Sequence, residues 1–295
     1  MSERAHPGGD HRGHHPPSAR PLHGELTRKP VRVVAAAFGI ITSLVACDVP
    51  PDLIPEDGPV VLGAAPADGE GDADREGPFR VFFDRRLFPR DVNRGRVSLE
   101  SGTRGSFLAL RFDPVDRVLL VSPQAQLDPA TRYRLTLEGL RDLEGRAMAS
   151  RTVITFETGE DAVGEPPPEA PTWADVAPLF AGCASEGCHV GPAPALGLDL
   201  SSGEAVARTA IGVPAVQTRV GARDRVWYGA SSLDGLARID VVAGQGQPAR
   251  SYLLYKALGD PHAAGERMPP SPDPALDARS LRRLADWILA GAPTG

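Results

Sequence analysis

The chain has 295 residues with 38 acidic and 32 basic side chains, for a net charge of −6, and is rich in proline (30) and glycine (32). An acidic balance excludes a nucleic-acid binder, which needs a basic face, and the length leaves room for two ordinary domains after a leader is removed. The acidic excess sits in residues 48–171, with 23 acidic and 15 basic groups against 12 and 11 in residues 172–295, and reads as a solvated surface.

Residues 1–30 hold five of the seven histidines, His6, His11, His14, His15 and His23, amid Pro, Gly and Arg. Without helical or strand periodicity this tract reads as disordered, or as an over-extended gene start. Arg28, Lys29 and Arg32 then precede an uncharged apolar run from Val33 to Val45, too short for a bilayer span and suited to the core of a signal sequence. The run ends in Leu44-Val45-Ala46-Cys47. That stretch resembles the lipobox of bacterial lipoproteins. The resemblance implies cleavage before Cys47, a diacylglycerol on its thiol, and export. The mature chain would then be lipid-anchored to the cell membrane facing the periplasm, or to the outer membrane or cell surface. An ordinary signal peptide with a chance cysteine is the alternative. Residues 1–47 are thus expected to be a disordered leader plus a lipoprotein signal peptide.

Residues 48–160 read as all-β. Alternating apolar runs recur between turn residues at Phe79–Phe83, Arg96–Leu99, Phe107–Phe112, Arg117–Val121, Tyr133–Leu137 and Thr152–Phe156, a spacing that predicts a sandwich. The run from Leu127 to Gly145 contains a Leu-x-Pro-x-Thr-x-Tyr stretch ending at Tyr133 and an Asp142-x-x-Gly145 turn. It resembles the bacterial Ig-like family of surface proteins, which implies a tyrosine-corner role for Tyr133, its hydroxyl bonding back to the backbone. Arg146 stands where that family commonly has Asn. The segment contains no His, Cys or convergent carboxylate set, so it is read as a spacer or interaction module.

Residues 161–171 form a proline-rich linker, semi-rigid because consecutive prolines favour an extended backbone. Residues 172–295 read as mainly α-helical with a long irregular middle. Trp173, Val176, Ala177 and Phe180 recur at helical spacing and lead directly to Cys183. At the other end Asp277 is the expected N-cap, Leu276 and Leu281 a hydrophobic staple, and Leu281, Leu284, Trp287 and Ile288 the apolar stripe that Gly291 ends.

Between the two helices lies Cys183-Ala-Ser-Glu-Gly-Cys188-His189. It resembles a c-type haem attachment site with two extra residues between the thiols. The resemblance implies thioether bonds from Cys183 and Cys188 to one haem and His189 as the proximal iron ligand. At about 100° per residue an i, i+5 pair diverges by roughly 140° around a helix, so both thiols reach one porphyrin edge only if the backbone bulges, and Gly187 permits this by taking positive φ. Three other readings stand beside it: a Cys183–Cys188 disulfide, natural in an exported protein; a zinc site, which lacks a second Cys pair or His-x-x-x-His; and a catalytic thiol, which needs a partner base.

Arg267-Met268-Pro269-Pro270 and the terminal Trp287-Ile-Leu-Ala-Gly-Ala-Pro293 resemble a group of bacterial cytochrome c domains, with a looser match at Ala249-Arg-Ser-Tyr252-Leu-Leu254. Carried over, the resemblance makes Met268 the distal iron ligand through its thioether; His262 is the alternative. Trp227, Tyr228 and Tyr252 are candidates for the haem pocket, and Arg219 or Arg250 for pairing with propionates. The fold class expected is therefore an Ig-like sandwich followed by a cytochrome c-like domain. The function expected is that of an exported, membrane-anchored monohaem c-type cytochrome, carrying single electrons between redox partner proteins rather than catalysing turnover. A surface lipoprotein with a structural disulfide and a peroxidase-like haem enzyme are the alternatives.

Overall fold

The computed structural model describes residues 57–161, 169–216, 218 and 232–295. The leader with Cys47, most of the proline-rich linker, and Arg219, Trp227 and Tyr228 lie outside those residues.

The first half is a sandwich of two four-stranded antiparallel sheets. In chain order its strands are β1 (Val61–Ala65), β2 (Phe79–Phe83), β3 (Val97–Ser101), β4 (Arg104–Gly105), β5 (Leu108–Asp113), β6 (Val118–Pro123), β7 (Arg132–Leu137) and β8 (Thr152–Glu157). One sheet has the order β1-β2-β6-β5 and the other β4-β3-β7-β8. Strict alternation puts Phe79, Val81 and Phe83 of β2 and Tyr133, Leu135 and Leu137 of β7 on the inner faces. The sheets meet where Phe79 and Phe156 approach to 4.8 Å between ring centroids. Burying one such side chain contributes about 1.5–3 kcal/mol, so these alternating faces hold the sandwich.

All six predicted strands are present, shifted by at most two residues at their ends. The strands β1 and β4 were not foreseen. In β1 the sequence Val-Leu-Gly-Ala-Ala has no polar alternation, and its Leu62 points to solvent at the sheet edge. Tyr133 makes the expected corner: its hydroxyl accepts the Asp128 backbone N–H at 3.0 Å. In the turn that follows, Asp142 is fully buried, and Arg146 meets it twice, through its backbone N–H at 2.8 Å and its Nε at 2.7 Å. The Arg found where the family commonly has Asn thus supplies the charge that a buried carboxylate needs.

The second half contains α1 (Trp173–Val176), α2 (Gly203–Thr209), a short ribbon β9–β10 (Val241–Val242 and Gln245–Gly246), α3 (Tyr252–Leu258) and α4 (Ala278–Leu289). The first predicted helix is only one turn of α-helix, continued by a 3-10 turn at Ala177–Phe180. Pro178 explains the change, since it has no N–H to donate back along an α-helix. The Asp175 carboxylate holds the start of α1, accepting the Thr172 N–H and hydroxyl, both at 2.8 Å. Helix α4 follows the sequence reading closely. The Asp277 side chain accepts the Ser280 N–H at 2.7 Å, and Leu284, Ala285, Trp287 and Ile288 are buried. Leu276 and Leu281 pack at the edge of the same core, and Gly291 has φ +95° just past the end. The two end helices pack together, with Trp173 stacked on Phe180 at 5.8 Å and 6.0 Å from Trp287. Gly246 of the ribbon crosses α4 so closely that a Cβ there would lie 1.4 Å from the Ile288 carbonyl oxygen.

The described residues of both halves belong to one compact unit. Arg86 pairs with Asp260 at 3.0 Å, Arg90 donates to the Asp234 carbonyl at 2.7 Å, and His262 Nε2 lies 3.5 Å from Glu144. Arg282 of α4 binds the carboxylates of Asp113 and Asp116 on the sandwich and of Asp286 on its own helix. Ala249 packs into the sandwich core and Val115 against the helical one.

Candidate functional site

The segment from Cys183 to His189 is a closed loop. Cys183 donates its N–H to the Phe180 carbonyl at 2.8 Å as the 3-10 turn ends, and the His189 N–H returns to the Cys183 carbonyl at 3.1 Å. Within it Cys188 donates to Ser185 at 3.0 Å, and Gly187 has φ +83°, the left-handed conformation that a bulged spacing requires. Cys183 is buried and Cys188 exposed, and both are free thiols. Burial pushes the Cys183 thiol above its ordinary value, and the nearby Cys188 and Asp273 push the same way. A thiol so placed stays protonated, the opposite of what a catalytic nucleophile needs.

His189 is buried, and its Nδ1 lies 3.2 Å from the Leu198 carbonyl oxygen. That bond makes Nδ1 the N–H donor and leaves the lone pair on Nε2, the arrangement found when a metal-ligating imidazole is oriented from behind. Leu200 returns an N–H to the His189 carbonyl at 2.8 Å, fixing the backbone as well.

Met268 comes from a loop pinned by two cations. Its own N–H bonds the Lys256 carbonyl at 2.9 Å. The Lys256 ammonium donates to the Ala264 carbonyl at 2.6 Å and to that of Glu266, while Arg267 holds the carbonyls of Pro269 and Asp273, both at 2.5 Å.

These parts converge on one partly open cavity, whose wall includes Cys183, His189, Met268, Tyr252 and a majority of apolar side chains such as Leu179, Phe180, Leu198 and Leu253. The apolar wall with a few polar groups is the character of a small-molecule site. His262 does not line it. Its Nδ1 bonds Asp260 at 2.9 Å, and its other nitrogen faces Glu144 across the seam. Of the two candidate distal ligands, the structure brings only Met268 to the cavity with His189. Cys188 is also outside the lining, on the exposed side of the loop. Among the described residues no group of three or more His, Cys, Asp or Glu converges as a metal site.

Of the other sequence candidates, Arg250 is exposed and paired with Asp240 at 2.9 Å, away from the wall. Sequence reasoning missed two cations that do line it, Arg238 and Lys256. Only Lys256 carried a signal, as the single lysine of residues 48–295.

Comparison with known proteins bears on the first half. Residues 55–158 match the bacterial Ig-like domain family, and the match ends before the helical half. No curated protein matches the chain. Among solved structures, a crystal structure of the S-layer protein SbsC is 15% identical with TM-score 0.28, covering 38% of this chain and 14% of that one. PcoC, a methionine-rich copper resistance protein from Escherichia coli, is 14% identical with TM-score 0.29, covering 34% of this chain and 98% of its own. The LD transpeptidase LdtMt1, solved with imipenem, is 18% identical with TM-score 0.26, over 34% of this chain and 40% of that one. The chain thus spans about a seventh of the S-layer protein it matches. Residues 55–158 are a bacterial Ig-like domain.

Proposed function

We propose that residues 172–295 hold one covalent haem of the c type and carry single electrons, with Cys183 and Cys188 as attachment points, His189 as proximal and Met268 as distal iron ligand. The observation that carries this reading is the lining of one apolar cavity by His189, Met268 and Cys183, although Met268 is far from the other two in sequence. His189 is held through its Nδ1 by the Leu198 carbonyl, which leaves Nε2 free to bind, and the Met268 loop is tied at both ends. The wall is mostly apolar, and the sulfur and imidazole donors suit iron in either oxidation state, so the residues present fit the group. A bound haem would supply a one-electron couple, whose potential thioether ligation tends to raise.

Among the described residues the cavity wall contains no carboxylate and offers His189 as its one imidazole. We read the chain as an electron carrier. Its redox partners would be other proteins. The Ig-like half is of a kind common in exported bacterial proteins, and among the described residues no helix is long and apolar enough to cross a membrane. Anchorage through a lipid on Cys47 is the reading that the signal-like leader supports.

The test is a pyridine haemochrome spectrum of protein matured in a bacterial periplasm, with intact mass after acid-acetone extraction. One haem mass retained on the chain is expected. Complete extraction of colour, or a mass two hydrogens below the reduced chain, would replace the haem reading with a Cys183–Cys188 disulfide.

A further inference from the structure

Among the described residues the cavity wall carries two cations, Arg238 and Lys256, and no carboxylate. Arg238 is the more deeply set, 8% exposed. Three of its five guanidinium N–H donors go to backbone carbonyls: Gly197 at 2.9 Å and Thr209 at 2.6 Å from one nitrogen, and Leu196 from another. No carboxylate lies within ion-pair distance of it among the described residues, whereas buried guanidinium groups ordinarily have one. Burial accordingly pulls Arg238 below the ordinary arginine value with nothing to oppose it. Lys256 differs, because the neighbouring Glu266 opposes the effect of burial on its ammonium.

We propose that Arg238 is the anion anchor of the cavity, positioning a carboxylate of the bound ligand with the guanidinium donors that the backbone carbonyls do not use. This rests on the haem reading, under which the carboxylate is a haem propionate. An apolar cavity with an unpaired cation in its wall calls for an amphipathic anion, and haem attached at Cys183 is one. The three carbonyl bonds tie the fork to the Leu196–Gly197 turn and the end of α2, so the anchor is rigid before the ligand arrives. Arg238 is a positioning residue, since it touches neither the iron ligands nor the thiols by any bond in the structure.

The experiment is a spectroelectrochemical titration of the haem-loaded chain over pH, comparing wild type with Arg238→Gln and Arg238→Lys. In the haem-loaded chain Cys183 and His189 are bound to the group, and the other titratable side chains on the wall, Tyr252 and Lys256, are common to all three proteins. In the wild type the paired propionate should titrate below the ordinary carboxylate range of about 4, leaving the potential flat at neutral pH. Arg238→Gln should lower the potential at neutral pH, because a positive charge near the iron is gone. It should also bring the propionate upward, so that the potential rises as pH falls toward the acid range. Arg238→Lys, keeping charge without the fork, should lie between. An unchanged potential and pH profile in Arg238→Gln, with haem still attached, overturns the proposal and leaves the haem reading standing. If neither variant matures, a wild-type potential that already slopes with pH near neutrality overturns it. A wild-type chain that matures without covalent haem overturns both readings.

Discussion

The imidazole of His262 and the carboxylate of Asp260 form a closed pair: one Asp260 oxygen accepts both the His262 backbone N–H and its Nδ1, each at 2.9 Å. Burial opposes protonation of His262, but the Asp260 hydrogen bond and the charges of Asp260, Glu144 and Asp142 outweigh it and raise its value above the ordinary 6.5. Burial likewise works against ionised Asp260, and the His262 hydrogen bonds with the charges of His262 and Arg86 bring it below the ordinary 3.8.

The sign of the pH dependence follows. The raised histidine contributes stability that is complete below its ordinary value and is lost as pH rises through the folded one. The lowered aspartate contributes above its ordinary value and loses that as pH falls through the folded one. The pair should therefore act most between about pH 4 and 6.5. His262→Gln is expected to destabilise the chain by about 1.5 kcal/mol in that window and by clearly less near pH 9. Urea denaturation at the two pH values checks this, and an equal gap at both would count against the charged pair.

Met268→Ala is expected to lower the potential, to abolish the weak far-red charge-transfer band of sulfur-ligated ferric iron, and to open the iron to carbon monoxide. His262→Ala should leave all three properties unchanged, because His262 is committed to the seam and lies outside the cavity. Optical titration of both variants decides between them. Reversed behaviour would make the site bis-histidine.

Cys183→Ala with Cys188→Ala should give a colourless chain whose Ig-like half is still folded, since the sandwich core contains neither thiol. A haem-free spectrum with retained β-type circular dichroism is the expected pair of results.

Cys47→Ser should block processing or release the protein from membranes. The several acyl chains of a mature lipoprotein bind stably where one chain holds only marginally. Fractionation together with labelled palmitate incorporation measures this, and unchanged membrane association without label would remove the lipid anchor from the account.

Trp287→Ala should cost about 3–5 kcal/mol, as expected for a large aromatic removed from a closed core. Trp287 is fully buried beside Trp173, and its Nε1 donates to the Pro293 carbonyl at 2.9 Å, so the variant loses packing and the C-terminal tie together. Thermal denaturation of wild type and variant is the comparison.

What was legible in the sequence was whatever local periodicity encodes. The alternation at Phe79–Phe83 and Tyr133–Leu137 gave the inward faces directly, and the spacing of Leu284, Trp287 and Ile288 gave the buried stripe of α4. The Gly187 bulge was legible too, because only glycine takes that conformation at no steric cost. Two kinds of information were not. Pro178 broke a helical pattern that side-chain spacing alone endorsed. Arg238 sits where the sequence has no periodicity, and its place in the cavity wall is set by tertiary contacts with Leu196, Gly197 and Thr209. That Met268 lines the cavity and His262 does not was likewise tertiary, since nothing near His262 in sequence announces Glu144.

The seam between the halves bears on the order of assembly. Asp113, Asp116 and Glu144 belong to the half that leaves the ribosome first, and their partners Arg282 and His262 to the half that follows. A sandwich already folded therefore presents a ready-made charged template, carboxylates beside Arg86 and Arg90, against which the later segments are caught. The last helix reaches it through Arg282, the same helix whose Trp287 packs beside Trp173 near the first thiol. The Ig-like half is in this sense a jig for the other: its carboxylates set where α4 comes to rest, and with it one wall of the core that surrounds Cys183.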